Sequence, residues 1–79
     1  MKGEVVNLNG DLCAVEISTG ITIFEILGAH ATEIDDIISG NLENLGHETL
    51  FNETKNEKIN TFIEDCHCSE EFANDFLNR

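Results

Sequence analysis

Seventy-nine residues carry 16 acidic side chains against four basic ones, a net charge of −12. That balance works against nucleic acid and anionic membrane surfaces, where Lys and Arg must do the binding, and it favours solubility and basic partners. The length allows one small domain, residues 1–79, with little core to spare, and at 41% hydrophobic the chain reads as globular rather than disordered.

The start, "MKGEVVNLNG", lacks the character of a signal peptide. The longest unbroken apolar run, Leu12-Cys13-Ala14-Val15, is far too short for a signal core or a membrane span. Three cysteines without secretory context are expected to be reduced thiols in a cytoplasmic protein. "GEVVNL" is the first predicted strand, with Val6 and Leu8 on one face, and "NG" at Asn9-Gly10 signals a hairpin. "LCAVEI" alternates Cys13, Val15 and Ile17 against Leu12, Ala14 and Glu16, and "STG" at 18–20 turns the chain again. "ITIFEIL" is apolar on both faces, the pattern of a central strand.

Such a meander cannot bury its apolar face alone. "GAHATE" is a connection, "IDDIISGNL" a fourth strand with Ile34, Ile38 and Leu42 alternating, and "TLFNE" and "KINTFIEDC" a last hairpin across "TKNEK". The expected fold is mainly β: a small antiparallel barrel of five or six strands, OB-type or SH3-like, which removes exposed strand edges. The period then changes. Phe72, Ala73, Phe76 and Leu77 form the stripe of a short amphipathic helix at about 69–78, with Ser69 as N-cap and Glu70 and Glu71 in its first turn. Its phenylalanines are expected to close one end of the barrel or to meet a partner.

"MKGEVV", the two tight turns and "EIDDIISGNL" resemble the small OB-type barrels of the cold-shock and S1 kind over roughly residues 1–54. The resemblance implies the barrel fold. The nucleic-acid activity does not transfer as readily, because those barrels offer surface aromatics and a basic groove, whereas "LCAVEI" has no aromatic and only Lys2, Lys55, Lys58 and Arg79 are available for phosphate.

Cys66, His67 and Cys68 are the candidate metal ligands, with Cys13, His30 and His47 able to join only through space. Cys-x-Cys is not the usual spacing of a zinc chelate pair, and no second pair exists, so no metal is expected. A thiol at a helix N-terminus can be activated, but Glu64, Asp65, Glu70 and Glu71 oppose that at Cys68. Asp35-Asp36 and Glu70-Glu71 are explained by a loop and a helix first turn, and no phosphate loop or nucleophile elbow appears. Nine asparagines fall mostly at predicted turns.

The sequence therefore points to a non-catalytic, cofactor-free binding module. The expected partner is a protein, a larger basic one or a second copy, met through the acidic surface or through Phe72, Phe76 and Leu77. Single-stranded nucleic-acid binding on an OB-type face is the alternative, with metal or redox sensing at Cys66-His67-Cys68 behind it.

Overall fold

A computed structural model describes residues 1–78. Six strands, β1 (Lys2–Asn9), β2 (Leu12–Ile17), β3 (Gly20–Ile26), β4 (Ile37–Ser39), β5 (Gly46–Asn52) and β6 (Glu57–Cys68), precede one helix, α1 (Glu70–Leu77). The strands close a barrel in the order β1-β2-β3-β6-β5-β4, and every neighbouring pair is antiparallel. β4 lies beside β1, so β4-β1-β2-β3 is a Greek key: a meander whose fourth strand returns along a long connection. The expected mainly-β barrel with a C-terminal helix is what the chain forms.

The interior is filled by alternate residues of each strand. Val5, Cys13, Val15, Ile17, Phe24, Ile26, Ile38, Leu50, Ile59 and Ile63 meet there, joined by Leu42 from the β4–β5 loop. Gly3 leaves room for this packing: a Cβ there would strike the Glu16 carbonyl and the side chains of Val15 and Ile17. Thr22 also points inward and donates to the Leu42 carbonyl at 2.7 Å.

A second apolar cluster lies on the outside of the barrel. Ala14 of β2 and Ile21 and Ile23 of β3 pack beneath Ala73 and Leu77 of α1. β3 is thus apolar on both faces because it separates two cores. Here the expectation that the helix closes one end of the barrel is corrected. Leu42 and the loops fill the interior, and α1 covers the outer face of β2 and β3, where Leu12, Ala14, Ile21 and Ile23 had no other cover.

Four local expectations also change. In β1 the register slips between Val5 and Asn7, so Val6 is an extra residue at a bulge and is exposed; Val5 and Leu8 reach the interior instead of Val6 and Leu8. The first hairpin turns on Gly10 and Asp11, while Asn9 stays in the strand opposite Leu12. The fourth strand shrinks to Ile37–Ser39, because Asp35 takes φ +78° and Gly40 φ +134° on either side, which leaves Ile34 outside in solvent. The last strand does not stop at Cys66. It runs to Cys68 through a bulge where His67 adopts φ +57°. That bulge presses on Gly20, where a Cβ would lie 2.9 Å from the His67 Cα.

Candidate partner-binding surface

The helix is held by its cap, its apolar face and two amides. Ser69 Oγ accepts from the Phe72 N–H at 3.1 Å, which satisfies one of the unpaired donors of the first turn. Asn7 Nδ2 donates to Asn74 Oδ1 at 2.9 Å, and Asn9 Nδ2 donates to the Leu77 carbonyl, tying α1 to β1. At the far end the Asn78 N–H returns to the Asn74 carbonyl at 3.1 Å.

The three helix residues singled out from sequence separate. Leu77 is completely buried and belongs to the outer core. Phe76 is half-buried and packs against that core with Leu12 and Cys68. Phe72 is 42% exposed, its ring centroid 6.2 Å from that of Phe76. Phe72 and Phe76 therefore form an aromatic ledge on one flank of α1, with exposed Glu71 and Asp75 nearby in sequence.

The opposite flank faces β1 and β2 across a groove of about 290 Å³, lined by Val6, Asn7, Glu16, Ile21, Glu70 and Asn74. Val6 and Ile21 supply apolar wall, Asn7 and Asn74 amides, and Glu16 and Glu70 carboxylates. No Lys lies near enough to neutralise either carboxylate: among the described residues, lysine ion pairs reach only Glu53, Glu33 and Asp36. Asn7, Glu16 and Val6 were not among the sequence candidates. The outward position of Glu16 in "LCAVEI" was readable; the bulge that turns Val6 outward was not, since no glycine marks it.

The Cys66-His67-Cys68 triplet sits on the bulge beside α1. His67 Nε2 lies 2.7 Å from Glu43 Oε2, which also accepts from Thr19 Oγ1 at 2.8 Å. These hydrogen bonds, His67's first, hold the Glu43 carboxyl below its usual range. Cys66 Sγ is 4.0 Å from the Glu43 carbonyl, and Cys68 Sγ contacts the Cys66 carbonyl at 3.7 Å. Burial, with Asp65 and Cys66 adding to it, pushes the Cys68 thiol up to about 11, so it stays protonated at neutral pH. All three cysteines are free, and among the described residues no three His, Cys, Asp or Glu side chains gather as a metal ligand set would.

The paired aspartates divide. Asp35 takes the left-handed turn and is exposed, while Asp36 is buried in a polar knot. Asn52 Nδ2 and the Glu33 N–H each donate to Asp36 Oδ2 at 2.9 Å, and Lys55 Nζ lies 3.1 Å from Asp36 Oδ1 and 2.7 Å from Glu33 Oε1. Burial alone would push the Asp36 carboxyl up, but the hydrogen bonds from Asn52, Glu33 and Lys55 outweigh it and hold it below the usual carboxylate range. The knot locks the β3–β4 connection to the β5–β6 turn. Of the four cations, Lys2 and Lys55 are thus paired, Lys58 makes no ion pair among the described residues, and Arg79 lies outside them. No helix among the described residues is long and apolar enough to cross a membrane.

No family model, curated protein or solved structure matches this chain.

Proposed function

We propose that the protein is a non-catalytic binding module whose partner is a basic protein docked across α1. The observation that carries this reading is the groove between α1 and β1–β2, whose apolar wall and two uncompensated carboxylates, Glu16 and Glu70, suit a lysine or arginine. The aliphatic stem of such a side chain would lie on Val6 and Ile21, and its head would be shared by the carboxylates and the amides of Asn7 and Asn74. On the other flank Phe72 offers an aromatic anchor of the type that dominates interfaces. Leu77, buried within the chain, takes no direct part.

The Greek-key barrel is in keeping with the OB-type resemblance. The nucleic-acid activity of such barrels is not proposed, because Lys2 and Lys55 are already engaged by Glu53, Glu33 and Asp36. Nor is chemistry proposed at the thiols or at Asp36: the Cys68 thiol is held protonated, and the Asp36 carboxylate is fixed in a structural knot.

The test is a titration of isotope-labelled protein with a short amphipathic peptide rich in arginine, followed by backbone amide shifts. Saturable changes confined to Val6, Asn7, Ile21 and α1, and lost in Glu16→Gln/Glu70→Gln, are expected. Binding should weaken as salt is raised. Shifts spread evenly over all acidic residues, or unchanged binding by the double variant, would remove the groove from the proposal.

A further inference from the structure

A second face differs in character from the rest of this acidic surface. Outward residues of β5 and β6 pair across the strands as His47 with Phe62, Thr49 with Asn60 and Phe51 with Lys58. The His47 and Phe62 rings meet edge to face at 4.9 Å. Leu27, 40% exposed, joins them and lines with His47, Glu48, Thr49, Asn60 and Thr61 a shallow hollow of about 380 Å³. No β5–β6 cross-strand pair on this face holds a carboxylate, in a chain with 16 of them; Glu25 of β3 stands opposite Phe62 on the other side of β6, and Lys58 makes no ion pair among the described residues. Next along β6 on the same side stands Glu64, exposed.

We propose that this face binds a second copy of the chain, with β6 antiparallel to its mate across a two-fold axis that crosses the strands between Asn60 and Phe62. The outward residues of β6 fall in the order Lys58, Asn60, Phe62, Glu64. That order is complementary to its own reverse: Lys58 comes opposite Glu64, and Asn60 opposite Phe62. An isologous contact requires this self-complementarity. Two chains of net charge −12 can approach only where carboxylates do not face carboxylates, and the β6 register meets that condition by setting Glu64 against Lys58. α1, with Glu70, Glu71 and Asp75, does not. The dimer leaves the groove beside α1 free, so it goes beyond the basic-partner proposal and does not depend on it.

Sedimentation velocity over micromolar to millimolar protein tests the assignment. A monomer–dimer equilibrium is expected that tightens with added salt, because screening relieves the repulsion between the two chains. This is opposite to the salt response of the basic-partner site. Lys58→Glu and Glu64→Lys should each weaken the dimer by about tenfold or more, and the double swap should restore it. Phe62→Ser, on the outside of the barrel, should abolish it while the amide spectrum stays that of the folded chain. A monomer at every concentration, or a dimer indifferent to the swaps, overturns the proposal. So does saturable binding of a single-stranded oligonucleotide that shifts His47, Phe51 and Phe62, because bases would then occupy the face.

Discussion

Asp36 shows how one side chain can organise two loops. Its carboxylate is buried and answered by an amide, a backbone N–H and an ammonium, so its removal takes a partner from all three at once; Lys55 keeps Glu33, and Asn52 keeps a longer hydrogen bond to Thr32 Oγ1 at 3.3 Å. Asp36→Ala should destabilise the fold by about 2 to 3 kcal/mol, chiefly by taking the shorter hydrogen bond from the buried Asn52 amide and the acceptor from the Glu33 N–H. The pH dependence has a defined sign. The carboxyl is held below its ordinary value in the folded state, so its contribution is fully present above the unfolded value, about 4, and is lost as pH falls through the folded value. Denaturant melts at a series of pH values should show a gap between wild type and Asp36→Ala that is constant near neutrality and narrows under acid. A gap independent of pH would mean that only packing was lost.

At the scale of the element, α1 separates burial from exposure within two turns. Leu77→Ala should cost about 2 to 5 kcal/mol, Phe76→Ala less because the ring is only half-buried, and Phe72→Ala no more than about 0.5 kcal/mol. Equilibrium unfolding of the three variants gives the ranking directly, and a large loss at Phe72 would contradict the exposure found here. The helix itself was legible in the sequence: the change of period after Ser69, the cap and the acidic first turn all lie where they were expected. Its seat was not. The outward apolar residues Leu12, Ala14, Ile21 and Ile23 were visible as alternation, but periodicity does not say which of several apolar faces a helix will choose. The strands were legible wherever alternation was unbroken, as in "LCAVEI" and "ITIFEI". They were misjudged where a bulge intervened at Val6 or His67, or where an aspartate took a left-handed turn, since none of these positions holds a glycine. The candidate site suffered from the same cause. Val6 and Asn7 of its lining belong to β1, far from α1 in the chain, and the hydrogen bonds of Asn7 with Asn74 and of Asn9 with the Leu77 carbonyl tie the two sides together.

For the whole molecule, the distribution of charge matters more than its sum. Two of the four cations are engaged in holding loops and strands, Lys2 with Glu53 and Lys55 with Glu33 and Asp36. The carboxylates beside α1, Glu16 and Glu70 among them, are therefore left without a lysine among the described residues, while Lys58 stands on the outer face of β5 and β6. The division of the apolar residues into an interior core and an outer one has a further consequence for motion. Few elements depend on α1: it packs mainly on β1, β2 and β3, and its departure would leave the barrel interior filled. Opening of the helix can thus be a separate, cheaper event than unfolding of the whole chain. Under native conditions the amides of α1 should exchange with solvent deuterium through that partial opening. Those of Phe24 and Ile63, paired at the centre of the β3–β6 ladder, should wait for global unfolding. A partner seated in the groove would clamp α1 against β1, and its arrival would be read as slowed exchange along the helix with the barrel's own rates unchanged.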